Sequence, residues 1–264
     1  DYRQPPGVLY GGPVYHVPFG DADAGERQLE ICSPIGIGIA ACIFEPIQGE
    51  AGAIVPPDDF WPRVRAITQH YGVLLIADEV QTGLGRTGKL WGVDHWGVKP
   101  DIVTLAKSLG GGVMPISAFC STEAIWQVMM YPNPFIHTTT TGGGALACSA
   151  AIAALNVTLR ERLWEAAAEK GGYLRPKLEA LVERYPDLLA KITGKGLLIG
   201  VHFKNGEIGY RVAAGFFKRG VLVAGTLISA TTIRIEPPLV ISYAELDEVL
   251  QRLDDTLQEV QRSL

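Results

Sequence analysis

The chain has 264 residues, enough for one large domain or two modest ones with a sizeable core. Hydrophobic residues at 47% and charged residues at 19% exclude extensive disorder. The 23 basic and 28 acidic residues leave a formal charge of −5 with no basic block, which points away from nucleic acid and from anionic membrane surfaces.

The first thirty-odd residues are rich in Gly, Pro and Asp and read as irregular; "DYRQPPGVLYGG" at the start does not have the make-up of a signal peptide. "IAACIFE" (39–45) reads as a strand. A helix follows near 58–71, opened by the Pro-Pro pair, with Phe60, Val64, Ile67 and Tyr71 on one apolar stripe. "VLLIADEV" (73–80), "DIVTLA" (101–106) and "ISAFCS" (116–121) are further strands, the first two apolar enough to be buried on both faces of a parallel sheet. An Ala-rich helix runs from about Gly143 to Arg160 and a second from about Leu163 to Tyr185. The texture then changes. "GKGLLIGVHF", "GVLVAG" and "TTIRIEPPL" are strand-like, separated by a helix near 207–219, and an amphipathic helix at 243–262 closes the chain. This order predicts an α/β domain over residues 1–160 with a mainly parallel sheet, then a smaller α+β domain over 161–264. No apolar run is long enough to span a bilayer. The widely spaced Cys32, Cys42, Cys120 and Cys148 fit reduced core thiols of a cytoplasmic protein, and the five histidines form no metal-ligand spacing.

Two strand ends carry charge. Asp78 closes the run Val73–Ile76, where an acid is costly to bury without a cation or strong donors; loop amides alone would supply the latter. Lys107 stands just past Ile102–Leu105 and ahead of three glycines, at the edge where open α/β sheets place ligands. A strand-end lysine is ordinarily solvated; partly desolvated, it is a nucleophile toward a carbonyl carbon. The stretch "GLGRTGKL" (83–90) matches the G-x-x-x-x-G-K phosphate loop, but Leu90 replaces the hydroxyl that would hold Mg²⁺, and the Gly- and Pro-bearing "WGVDHWGVKP" suits no helix. Asp78 and Lys107 together, one acid and one lysine at successive strand ends, are what pyridoxal phosphate requires.

In this order, "FEPIQGEAG", "DEVQTGLGRTG", "PDIVTLAKSLGGGVMPISA", "HTTTTGG" and "TIRIEPPL" resemble the class III pyridoxal-phosphate aminotransferases, from about Val14 almost to the carboxyl end. Within that family "GGGVMPI", "NPFIHTTT" and "EIGY" are most similar to the diamine-using (putrescine) members. The resemblance implies a fold type I transferase and pyridoxal 5'-phosphate as cofactor. It implies a homodimer or larger homo-oligomer, an amine donor such as putrescine, and a 2-oxo acid acceptor such as 2-oxoglutarate. It makes Lys107 the Schiff-base lysine and Asp78 the partner of the pyridine nitrogen. Val80 is expected against the ring, Gln81 near the phenolic oxygen, and Thr140 on the phosphate of the neighbouring subunit's cofactor. Arg234 is expected to receive a substrate carboxylate, with Glu50 pairing that arginine when no carboxylate is bound. Another ω-amine or ω-amino acid transaminase, or a truncated non-catalytic subunit, are the alternatives. The family's long amino-terminal region, with its Ser/Gly-rich phosphate loop and ring-stacking aromatic, has no counterpart here. Thr141 stands where the family carries an aromatic, "GGGA" (142–145) replaces "GGNP", and "ICSPIGIGIA" (31–40) is unusual.

Overall fold

Four short apolar strands, β1 (Ala41–Phe44), β2 (Leu74–Asp78), β3 (Ile102–Leu105) and β4 (Ala118–Ser121), pair in the order β1-β2-β3-β4. The first three are parallel and β4 is antiparallel to β3, an arrangement that needs crossover connections between the parallel members. The computed structural model describes residues 14–32, 38–131, 134–135, 137–226 and 229–263; all of "DYRQPPGVLYGG", half of "ICSPIGIGIA", and parts of "NPFIHTTT" and "GVLVAGTL" lie outside them.

The crossover from β1 to β2 contains α2 (Phe60–Tyr71), which ends where Gly72 turns left-handed at φ 65 and its N–H closes on Thr68 and Gln69. Phe60, Trp61 and Val64 bury against Leu75 and Ala77 of β2, with Phe44 edge-on to Phe60 at 5.5 Å. The stripe is turned slightly from the expected one: Trp61 and Thr68 are buried, whereas Ile67 and Tyr71 are half-buried. The segment expected to be irregular contains a helix, α1 (Ala22–Cys32), started by Asp21 Oδ1 accepting from Ala24 N–H at 2.9 Å. Its buried residues, Ala22, Leu29 and Cys32, form a thin stripe among charges, and so it was not legible as an amphipathic pattern. A second unanticipated helix is α3 (Glu123–Met130). Of the four free cysteines only Cys32 is buried and Cys120 is exposed, so the expectation of core thiols holds at one position. β3 is also less covered than expected: Leu105 alone is buried, against Leu84, Leu109 and Ala151.

Helices α4 (Ala145–Arg160) and α5 (Leu163–Arg184) lead to a second sheet of β5 (Leu189–Lys195), β6 (Leu198–Phe203), β7 (Ala224–Gly225) and β8 (Thr232–Ile235), ordered β5-β6-β8-β7 and antiparallel throughout. "GKGLLIGVHF" is therefore the turn and second strand of a hairpin whose first strand, "LAKITGK", lacked a clear period-2 pattern. "GVLVAG" contributes only two paired residues. Helices α5, α6 (Gly206–Lys218) and α7 (Tyr243–Arg262) cover one face, burying Leu174, Leu178, Phe216, Leu253 and Leu257 on Ile199, Val201 and Ile233. α6 is capped by Asn205 Oδ1 and α7 by a reciprocal Ser242–Glu245 box. Leu257→Ala should cost about 2–5 kcal/mol in urea denaturation, since its side chain is fully buried in this cluster. Leu222→Ala, at an 81% exposed position, should stay within about 0.5 kcal/mol.

Candidate active site

Parallel register aligns the carboxyl ends of three strands. Phe44 pairs Ala77 and Asp78 pairs Thr104, so Glu45, Asp78 and the Ala106–Lys107 step emerge at one edge of the sheet. Asp78 is half-buried and held by one oxygen: Oδ1 accepts from Val80 N–H at 3.1 Å and from Thr104 Oγ1–H at 3.0 Å. Among the described residues Oδ2 has no hydrogen-bond partner. Its neighbour Glu79 points the other way, buried, and accepts from Thr82 Oγ1–H and from the Gly92 and Val93 N–H groups. Burial holds its carboxyl above the usual range in spite of these donors.

Lys107 begins a 3-10 turn, Lys107–Gly110, with its backbone left-handed at φ 48. A side chain in that region costs about 1–2 kcal/mol, and such strain collects at functional sites. The exposed lysine lines a cavity of ≈ 740 Å³ together with Gly112, Met114, Thr141, Gly142 and Gly143. Thr140 is exposed in the bend next to this lining, and the residue that reaches the cavity is Thr141. Asp78 instead lines a second cavity of ≈ 530 Å³ with Glu45, Gln48, Phe44 and His16. No described ion pair joins Asp78 to Lys107, yet both act on Glu45. Burial raises the Glu45 carboxyl above its ordinary 4.5; the Gly49 N–H and Lys107 oppose that shift, and the charges of Asp78 and Glu50 add to it.

Arg234 is 6% exposed on β8 and its Nη1 donates to Glu50 Oε1 at 2.7 Å, while Nη2 donates to the Gly225 carbonyl at 3.2 Å. Glu236 Oε1 lies 3.6 Å from the same Nη1 and accepts from Gln81 Nε2 at 2.7 Å. The structure thus brings Arg234, Glu50, Glu236 and Gln81 into one chain of contacts. Val80 is half-buried beside Asp78. The phosphate-loop-like "GLGRTGKL" serves as a seam between the two sheets: Arg86 Nη1 donates to the carbonyls of Leu197 and Pro237, and Leu197 N–H donates back to the Arg86 carbonyl. A short 3-10 turn, Gly92–His95, follows it in place of the helix a phosphate loop needs. Sequence reading missed Glu45, although the signal that exposed Asp78, an acid ending an apolar strand, was present there too.

Residues 20–257 match the profile of the family described as Aminotransferase class-III. A putrescine aminotransferase of Pectobacterium atrosepticum is 48% identical over 259 residues, which cover 98% of this chain and 55% of that relative. The chain thus spans about half the length of this curated relative. Among solved structures, the ornithine delta-aminotransferase of Plasmodium falciparum superposes with a TM-score of 0.85 at 36% identity, covering 94% of this chain and 62% of that one. The acetylornithine aminotransferase of Elizabethkingia anophelis gives 0.84 at 38% identity, covering 92% and 59%.

The Glu45 shift makes a stability prediction with a definite sign. A carboxyl whose folded pKa lies above its unfolded value binds more protons when folded, so its contribution is lost as pH rises through that window. Glu45→Gln keeps an acceptor for Gly49 N–H (2.8 Å in the native protein) and removes the charge. It should therefore be the more stable form at pH 7, and its advantage should shrink as pH falls and vanish below the ordinary carboxyl value of 4.5. Thermal melts across that range would read the difference, and a gain that grows on acidification would contradict it.

Proposed function

The chain belongs to the class III aminotransferases, and on that premise we propose that it forms the lysine-bearing part of a pyridoxal 5'-phosphate-dependent transaminase. The observation that carries this reading is the pair of neighbouring parallel strands, one ending in Asp78, fixed among the described residues through one oxygen, and the other leading to Lys107 two residues past its end, at a left-handed turn. These residues fit the ring end of the cofactor: the second Asp78 oxygen is available to a protonated ring nitrogen and the Lys107 amine opens on a cavity. Bound there, pyridoxal phosphate would supply an aldehyde carbon to take up an amino group and a ring that withdraws electrons. Asp78, oriented by Thr104 and Val80, keeps the ring nitrogen protonated. Lys107 Nζ takes a proton from the amine-bearing carbon of the donor and returns one to the carbonyl carbon of the acceptor. Val80, Gln81 and Thr140 are assigned to the ring face, the phenolic oxygen and the neighbouring subunit's phosphate. For Gln81 this asks the amide to exchange its bond to Glu236.

We assign the donor to the diamines, putrescine first, and the acceptor to the 2-oxo acids, 2-oxoglutarate first. The similar putrescine aminotransferase supports the donor, and the buried Arg234–Glu50 pair supports both. A guanidinium binds a carboxylate bidentately but repels an ammonium, so one pocket can serve both substrates only if an acid covers the arginine in turn. The same reading places residues 1–160 in the large domain and 161–264 in the small one. Leu146, Ile152 and Leu159 on α4, with Val128 and Met130 on α3, are exposed apolar residues that support assembly as a homodimer. The four free thiols suit a cytoplasmic enzyme. Among the described residues no helix is long and apolar enough to cross a membrane.

Three measurements test this. Added pyridoxal phosphate should give the yellow absorbance of a lysine-bound cofactor, and borohydride should fix it to the peptide containing Lys107; fixation at Lys89 or Lys99 would refute the assignment. Lys107→Ala should abolish transamination, and Asp78→Asn should lower its rate by about 10²–10³ while cofactor still binds. Arg234→Ala should impair only the oxo-acid half-reaction, by roughly 2–5 kcal/mol, and Glu50→Ala only diamine use. Stopped-flow measurement of each half separately would decide whether the arginine serves substrate or only structure.

A further inference from the structure

Glu50 rides on a tight loop closed by two backbone bonds between Gln48 and Ile54, each 3.0 Å. Inside it Gly52 and Ala53 both take positive φ, 109 and 54, which turns the Gly52 carbonyl toward the second sheet. Two side chains from two strands receive it, and a third strand backs one of them. Thr193 Oγ1 of β5 donates to Gly52 O at 2.6 Å, and His202 Nε2 of β6 lies 3.1 Å from the same oxygen and 2.8 Å from Thr193 Oγ1. The other ring nitrogen, Nδ1, is 3.0 Å from Thr232 Oγ1 of β8. A neutral ring protonated on Nε2 satisfies every group: it donates toward Thr193 and Gly52 and accepts from Thr232. His202 pairs Thr232 and Gly200 pairs Arg234 across the β6–β8 ladder, so the histidine clamp and the arginine share one face, two residues apart. Gly200 is what lets the loop in, because a Cβ there would overlap the Gly52 carbonyl oxygen and Thr193 Oγ1.

We propose that His202 is a positioning residue for the Glu50–Arg234 pair: by fixing Gly52 to the sheet it holds Glu50 over the arginine and sets how readily a substrate carboxylate displaces it. This rests on the reading that Arg234 receives that carboxylate. The histidine is 8% exposed and touches neither substrate nor cofactor in this role; it acts through a loop two residues from Glu50. Releasing the clamp loosens the acid, so the arginine becomes more available to a dicarboxylate and more repellent to a diamine. The two effects have opposite signs, which general loosening of the fold does not produce.

The test uses the protein with His202→Ala, and with Thr193→Val as a milder variant that removes one donor to Gly52. Calorimetric binding of glutarate, an unreactive dicarboxylate, is measured in the cofactor-free protein, alongside KM for diamine in the loaded enzyme. Glutarate should bind roughly three- to tenfold tighter and the diamine KM should rise by a similar factor, the worth of about one net hydrogen bond, with kcat little changed. In a Glu50→Ala background neither variant should shift either value further. Loss of both affinities together, or shifts that persist without Glu50, would overturn the proposal. Failure of the underlying reading looks different: Arg234→Ala alone would then leave glutarate binding unchanged. If His202→Ala does not fold, Thr193→Val decides by the same two signs.

Discussion

The parallel register of β1, β2 and β3 is the constraint on which the rest of this molecule depends. Parallel strands run their carboxyl ends to the same edge, and the residue that follows each apolar run leaves the sheet there. Because Phe44 pairs Ala77 and Asp78 pairs Thr104, three ionisable groups from residues 45, 78 and 107 gather over one edge without being near in sequence. A slip of one residue in either pairing would turn Asp78 to the opposite face and seat Glu79 in its place. The observed register sends Glu79 instead into a buried set of amide donors, so the two adjacent acids have opposite fates.

Electrostatics then decides what each group can do. Glu45 is pushed up by burial and by the acids around it, and Lys107 is its compensating cation. Asp78 is tied down by a threonine hydroxyl and a backbone amide, which fix its orientation while using one oxygen. Lys107 is held by its backbone, through a left-handed residue that the following turn and Gly111 accommodate. Orientation by backbone and by uncharged donors leaves the charged atoms available, which on the proposed reading is the preorganisation the site would need.

Legibility in the sequence followed distance along the chain. The parallel strands, the two charges at their ends and the closing amphipathic helix were readable because each is a local pattern: an apolar run, a polar terminus, a 3.6-residue stripe. The first helix was not, since Gly25 and four charged residues dilute a stripe of three buried positions. Arg234 and Glu50, 184 residues apart, entered only through the family resemblance, because no local rule pairs an acid in a glycine-rich loop with an arginine in a strand. His202 was unreadable for the same reason: its partners lie 9, 30 and 150 residues away and one of them is a carbonyl oxygen. The phosphate-loop match, already set aside on its sequence, is a local pattern whose backbone is closely approached by another turn: a Cβ at Gly196 would overlap Thr87 and Gly88.

The seam between the two sheets also explains why an ion pair sits where it does. A buried guanidinium stripped of its partner costs about 3–5 kcal/mol, whereas the intact pair adds little net stability over apolar residues of the same size. Arg234 is buried, and its Nε has no partner among the described residues, so its remaining donors carry the whole compensation. Glu50 supplies the nearest charge and Glu236 stands 3.6 Å away, already engaged with Gln81. An incoming molecule can therefore take Glu50's place at little cost only if it brings an anion of its own. A molecule bearing only ammonium groups has nothing to offer the arginine and must leave the pair closed. On the proposed reading, discrimination between the two substrates follows from the penalty for a bare buried arginine, and the loop clamped at Gly52 sets how large a displacement each exchange requires.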